Sequence, residues 1–429
     1  MSKYDKASLV HIPSGYKSGT LYNVLPNDAD GDFDFTRGST ATRVDENGLI
    51  ETVATGTPRL NYPLLDGVVQ DNPALLLEPQ RQNRVTNSSE YGDNPTNTTI
   101  TRNQITAPDG TLTADRILDN SVNGEHILGQ NLTGLIVNGT TYVLSAFFKS
   151  DGTAGKGVLR FYTGSWQYAV FNLENGTVSF TSSGTSKIEN YGNGWFRCSL
   201  AVTATLDYGL SVVQIGIGNS LNQFSYQGAT SLGNYFWGVQ FEEGSYPTSY
   251  IPTSGSSVTR SADAANGAGT ADDFNDSEGV LFANIAALAN DSTVRRIALS
   301  NSANNKLIRF DYSNSSNRML ALIFDGTPEL NVFSDAYDIQ TPNKFAIKYK
   351  SGDNSFFING FKIDGNNDSI SMSGLSELDF DDGAGSDDFY GNTKEVIVFN
   401  EALSDTELEA LTSYDSFNSM ATEQLYTIE

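Results

Sequence analysis

One cysteine and two histidines among 429 residues exclude several common chemistries at once. Cys198 alone builds neither a disulfide framework nor a cysteine-rich zinc site. It lies in Trp195-Phe-Arg-Cys-Ser-Leu-Ala-Val202, which reads as a strand, so its simplest role is a small core residue. Neither His11 nor His126 sits beside a nucleophile motif, and no nucleophile elbow occurs, so the pattern does not encode a Ser-His-Asp triad. Zinc ligation through His and Cys clusters is missing too. Positive charge is scarce: 26 Lys and Arg face 51 Asp and Glu, a formal net charge of −25. That balance speaks against nucleic acid, which needs clustered Lys and Arg, and against anionic membrane surfaces. It suits high solubility, or binding of cations or neutral sugars. No apolar run is long enough to span a bilayer. The start, Met1-Ser-Lys-Tyr-Asp-Lys, lacks an apolar signal-peptide region, so the expectation is synthesis in a cytosol. Long helix-periodic apolar stretches are nearly absent.

What is present is turn chemistry and aromatic strands. Glycine occurs 40 times and aromatics make up 11% of the chain. Asn, Ser and Thr crowd the segments between short apolar runs. This is an all-β profile. The stretch Asn234–Thr253 is the clearest strand: Tyr235, Trp237, Val239 and Phe241 alternate with Phe236, Gly238, Gln240 and Glu242. The aromatic set is expected to face a core. Pro247 and Pro252 make the second half of the stretch an extended, unpaired tail.

Residues 1–85 hold apolar bursts such as Leu9-Val10, Leu21-Tyr22 and Leu75-Leu76-Leu77, separated by turns and prolines. They read as an extended segment that needs a partner chain to bury them. Asn47-Gly48 signals a hairpin between Arg43-Val44 and Leu49-Ile50. Here the sequence resembles a module of bacteriophage head-spike, head-fibre and tail-fibre virion proteins. The pattern is F-x-R-x-S-x-A-T, a D-x-x-G turn, P-R-hydrophobic-x-Y, then L-L-L-E-x-x-R-x-N. Phe35, Arg37, Ser39, Ala41, Thr42, Asp45, Gly48, Pro58, Arg59, Tyr62, Glu78, Arg81 and Asn83 match it. Trp237 to Thr253 resembles the same proteins, so the likeness covers about the first 260 residues. It implies a virion component attached through residues 1–85, not a reaction.

Residues 86–256 read as a jelly-roll sandwich, its strands including Tyr142–Phe148, Val158–Tyr162, Tyr168–Leu173 and Thr177–Phe180. Their order resembles jelly-roll carbohydrate-binding modules. Residues 257–270 read as a linker and 271–429 as a second sandwich expected to fold alone. Asn359-Gly360 is a hairpin turn. Ser404 with Glu407 makes a capping box, and Leu403 with Leu408 a hydrophobic staple, so a helix starts there. Phe356-Phe-Ile-Asn-Gly-Phe361 and this strand-to-helix ending resemble the concanavalin A-like, laminin G-like family.

Three aromatics, Tyr162, Trp166 and Tyr168, surround Gly164-Ser165 near a loop and are the candidate sugar contacts. The competing reading of Trp166 is a core or subunit-interface residue. Trp195 and Trp237, on strands, are expected in the core. Asp381, Asp382, Asp387 and Asp388 form the candidate Ca²⁺ loop, since hard oxygen ligands suit calcium. A second acidic passage, Asp28 to Asp34, reads better as a strand entry. The whole is expected to be a structural, non-enzymatic phage fibre or decoration protein, a homotrimer that contacts capsid or tail proteins and host glycan, located in the virion. A polysaccharide depolymerase carrying carbohydrate-binding modules is the alternative, although no repeated β-helix rungs support it.

Overall fold

The computed structural model describes residues 3–420 apart from 14–15, 18–19, 22, 28, 93, 133, 154–155, 210, 302, 316, 415 and 417. Tyr22, Asp28 and the last nine residues of the expected second domain therefore lie outside the described residues. The architecture is all-β, with two sandwiches in tandem.

The first sandwich packs two six-stranded antiparallel sheets. One runs Asn94–Thr96, Ile127–Leu132, Ser211–Gly218, Lys156–Tyr162, Trp166–Asn172, Thr177–Thr181. The other runs Thr98–Ile105, Ala114–Asp119, Gly233–Glu243, Thr141–Ser150, Trp195–Thr203, Thr185–Asn190. Alternate residues of both fill the core, among them Leu144, Phe148, Leu159, Phe161, Ile215 and Cys198. The strand Gly233–Glu243 lies between two neighbours in its sheet, as its aromatic content suggests, but its alternation breaks. Gly238 adopts φ +63°, and the register against Thr141–Ser150 slips between Ser145 and Phe147. This is a β-bulge, with glycine taking the left-handed conformation. Phe236, Val239 and Phe241 consequently point into the sandwich, while Trp237 points the other way and packs on Trp195, Phe147 and Tyr250. The single aromatic face expected from period two is thus split over two cores.

The second sandwich corrects the expected domain division. Its larger sheet contains Phe361–Asn366, Asn354–Ile358, Asn343–Lys350, Glu278–Ala287 and Gly391–Phe399, and then continues into Ala74–Leu77 and Leu60–Asn61. Ala7–His11 pairs with the other half of Gly391–Phe399. The facing sheet runs Pro328–Phe333, Met319–Phe324, Leu307–Tyr312, Arg295–Asn301, Leu375–Asp379. Leu9, Leu21, Phe33, Leu75 and Leu77 share one core with Leu281, Ile297, Phe310, Phe345 and Val396. These five side chains of residues 1–85 are buried by the same chain, so a partner chain is not needed to cover them. At about 1.5–3 kcal/mol per large side chain, five such residues contribute on the order of a whole domain's net stability.

The expected linker is also structured. Val258–Arg260 pairs with Arg81–Asn83, and Ala264–Asn266 pairs with Asp34–Thr36, which makes Asp34 the strand entry read from sequence. The hairpin at Asn47-Gly48 joins Ala41–Val44 to Ile50–Val53; Asp45 closes it by accepting from the N–H groups of Asn47 and Leu49. The helix Asp405–Thr412 has both halves of the capping box, and Leu403 and Leu408 are buried together.

Three residues of the fibre-like motif, Arg37, Arg59 and Glu78, converge on one buried ionic cluster. Arg59 Nη1 donates to Glu78 Oε2 at 2.6 Å, and its Nη2 donates to Asp263. Arg37 Nη1 reaches Asp263 Oδ1 at 3.0 Å, and Arg260 Nη1 reaches Glu78 Oε2 at 2.5 Å. Ser249 donates to Glu78 through its N–H at 2.7 Å and its hydroxyl at 2.6 Å. Asn83 adds a bridge, donating to the carbonyls of Val239 and Ile251 and accepting from the N–H of Phe241. The cluster joins the N-terminal segment, the tail of the first sandwich and the entry to the second.

Candidate functional site

The outer face of the first six-stranded sheet carries the candidate sugar contacts. On Lys156–Tyr162 the residues Leu159 and Phe161 point inward, so Val158, Arg160 and Tyr162 point out. The turn to the next strand is held by Gly164 at φ +99°, which a residue with a Cβ rarely adopts. Cross-strand register then sets Trp166 opposite Tyr162 and Tyr168 opposite Arg160. All three expected residues therefore share one face. Trp166 is 37% exposed on the chain, so it is not a core residue. Trp195 and Trp237 are buried, as expected.

The sheet gathers residues that sequence reasoning did not select. The rings of Tyr162 and Trp166 meet edge to face at 5.4 Å, and Tyr208 lies 4.6 Å from Tyr162. Tyr168 stacks on Phe180 at 5.0 Å and meets Phe224 at 5.0 Å. At the centre the Arg160 guanidinium lies 3.8 Å from the Trp166 ring and 4.8 Å from that of Phe224. Glu125 is its ionic partner, Oε2 to Nη1 at 3.0 Å. Glu125 comes from the short strand Asn123–Glu125, paired with Ser225–Gln227. His126 braces this pair: its ring nitrogens lie 2.8 Å from the Asn97 carbonyl oxygen and 3.1 Å from that of Tyr226. The signal for Arg160 was a lone charge in the apolar run Val158-Leu-Arg-Phe-Tyr162 at an outward position. Tyr208 and Phe224 come from distant loops and carried no local signal.

Such a face is open, aromatic and edged with polar groups. It can stack on sugar rings and hydrogen-bond their hydroxyls. A separate cleft of about 1120 Å³ opens where the two sandwiches and the N-terminal hairpin meet, lined in part by Arg43, Lys187, Arg197, Tyr246 and Asp291. It carries mixed charge, and Tyr62, Tyr191 and Tyr250 also line it.

The acidic loop does not make the expected calcium cage. Asp381 accepts from the Asn266 side chain at 2.7 Å and the Gly383 N–H at 2.6 Å. Asp382 accepts from the N–H groups of Ala384 and Ser386. Asp387 pairs with Arg296 at 2.5 Å, and Asp388 accepts from the Tyr390 hydroxyl at 2.6 Å. Arg296, also 3.6 Å from Asp382, supplies the positive charge that a cation would bring. Among the described residues no group of three or more acidic, His or Cys side chains is placed to hold a metal ion. Nearby Asp379 is pushed up to about 7 by burial and by the neighbouring carboxylates, against one hydrogen bond from the Gly267 N–H that favours its charged form.

The sequence matches no family model and no curated protein. Among solved structures, the CBM40 of the Ruminococcus gnavus IT-sialidase, bound to alpha2,3 sialyllactose, is 16% identical with a TM-score of 0.28, covering 32% of this chain and 84% of that one. Mouse laminin alpha1 domains LG4-5 are 8% identical with a TM-score of 0.23, covering 81% of this chain and 96% of theirs. A Limulus polyphemus SAP-like pentraxin is 10% identical with a TM-score of 0.26, covering 33% and 71%. Likeness at this level says nothing of ligand or activity.

Proposed function

We propose that this protein is a non-enzymatic carbohydrate-binding protein that contacts glycan through the outer aromatic face of its first sandwich. One observation carries the reading: Tyr162, Trp166 and Tyr168 lie side by side around Arg160, with Trp166 open to solvent. Rings on an exposed, shallow sheet face are poor tools for chemistry and good platforms for sugar stacking. Single-site affinity is modest on such a surface. Several copies on one particle raise avidity by about 10²–10⁴ when spacing permits simultaneous contact.

The setting of that binding rests on the N-terminal motif from Phe35 to Asn83 and its resemblance to phage fibre proteins. In this reading the chain is a head or tail fibre or decoration of a virion, a homotrimer that displays its glycan face to the host surface. Binding of the full chain to a glycan array, repeated with Trp166→Ala, tests the first part; a reducing-end assay on bound glycans tests the absence of hydrolysis. Immunogold labelling of virions tests the second. Unchanged glycan capture by the Trp166→Ala protein would overturn the site.

A further inference from the structure

We infer that the ligand of this face is an acidic sugar, one whose ring carries a carboxylate, and that Glu125 occupies the carboxylate's place in the free protein. The inference rests on the glycan reading above and deepens it. Arg160 is 6% exposed, yet its Nε and Nη1 have no hydrogen-bond partner. Glu125 lies 3.0 Å from Nη1 but is not aligned to accept a hydrogen bond from it. Directly across the sheet, Gln214 Oε1 is also buried without a partner. Val213 and Ile215 point into the core, so Gln214 shares the outward face with Arg160. Unmet donors and acceptors under cover are costly, and side by side they form a demand that a ligand can satisfy.

The guanidinium is already oriented. Trp166 and Phe224 both pack on it, their ring centroids 3.8 and 4.8 Å away, which restricts the plane of its fork. A planar carboxylate suits that fork, since its two oxygens accept in parallel from Nη2 and one of the two unpartnered nitrogens, Nε or Nη1. The entrance is the Glu125 side, where the carboxylate side chain is 40% exposed and can swing out. A sugar carboxylate entering there replaces one ion pair by a better aligned one. Its ring stacks on the exposed aromatics, and its hydroxyl or amide donors face Gln214. The overall negative charge of the chain does not forbid this, because a contact at hydrogen-bond distance outweighs screened repulsion from distant acids.

The test uses the full chain and paired probes: oligogalacturonides and sialyllactose, each against its neutral counterpart, carboxyl-reduced oligosaccharide and lactose. Calorimetric titration is expected to show the acidic probe of at least one pair binding about tenfold tighter or more. Arg160→Gln is expected to abolish that preference, bringing the acidic-to-neutral affinity ratio to about one. Glu125→Gln, which alters a half-exposed side chain, is expected to raise the acidic-to-neutral affinity ratio several-fold. Equal binding of acidic and neutral probes, or no gain in Glu125→Gln, overturns the inference and leaves the glycan reading standing. Binding of no glycan at all overturns both.

Discussion

Arg59 reaches Glu78 across nineteen residues of sequence, Nη1 to Oε2 at 2.6 Å, with both side chains shut off from solvent. Two further arginines and Asp263 complete the cluster. Burial alone would raise the Glu78 carboxyl, but Arg260, Arg59 and the two Ser249 hydrogen bonds overcome it and hold the group at about 2. Its stabilising share is therefore present above pH 4.5, the ordinary value, and is lost as pH falls from there towards 2. Removing one member strands a buried charge, so Arg59→Ala is expected to cost about 3–5 kcal/mol in denaturant titration. A loss below about 1 kcal/mol would show that the cluster is solvated.

The second sandwich is expected to depend on residues 1–85. A fragment of residues 271–429 alone lacks Leu9, Leu21, Phe33, Leu75 and Leu77 from its core and the strands Ala7–His11 and Ala74–Leu77 from its sheet. It should show no cooperative thermal transition. In the full chain Leu75→Ala should cost about 2–5 kcal/mol. A sharp two-state melt of the fragment would contradict this.

His11 is fully buried against Phe33, ring centroids 5.0 Å apart, and burial pushes its pKa down to about 4 from 6.5. The folded state holds it neutral while the unfolded chain takes up a proton. Stability is thus lost as pH falls from 6.5 towards 4. His11→Phe should flatten that part of the curve relative to wild type. Asp379 works with the opposite sign: its folded value of about 7 exceeds the ordinary 3.8, so it erodes stability as pH rises through that window. Asp379→Asn should gain on wild type at pH 8 and not at pH 4, read from melting midpoints.

At the helix, Ser404→Ala removes both the acceptor for the Glu407 N–H and a donor to the Glu407 side chain. The expected cost is about 0.5–2 kcal/mol in the full chain. No change in the denaturation midpoint would show that the cap is idle.

What could be read from the sequence was local. The capping box at Ser404, the hairpins at Asn47-Gly48 and Asn359-Gly360, and the placing of Tyr162, Trp166 and Tyr168 about one turn depend on neighbours a few residues apart. What was not legible is long-range. Ala7–His11 pairs with a strand almost 400 residues on, as the Ser8 hydroxyl shows by donating to the Val398 carbonyl at a separation of 390 residues. Nothing in residues 1–85 says which core will bury them. Arg59 and Glu78 were visible as a motif, but only the fold shows that the motif is an internal weld. The four loop aspartates had calcium-like composition; Arg296, which faces them, comes from a different strand. Gly238 could have warned of the bulge, since glycine inside a strand pattern marks one.

Trp166 offers the most direct test of the glycan face. The chain has three tryptophans, and Trp195 and Trp237 are 3% and 2% exposed. Their indole N–H groups donate to the Thr106 carbonyl and the Thr113 hydroxyl inside the protein. An NMR titration of the three indole N–H resonances with an oligosaccharide that the protein captures should move the Trp166 signal and leave the other two in place. Saturation should track the same curve as calorimetric binding. Glycan capture without any shift of the Trp166 resonance, or with shifts confined to Trp195 or Trp237, would contradict the account.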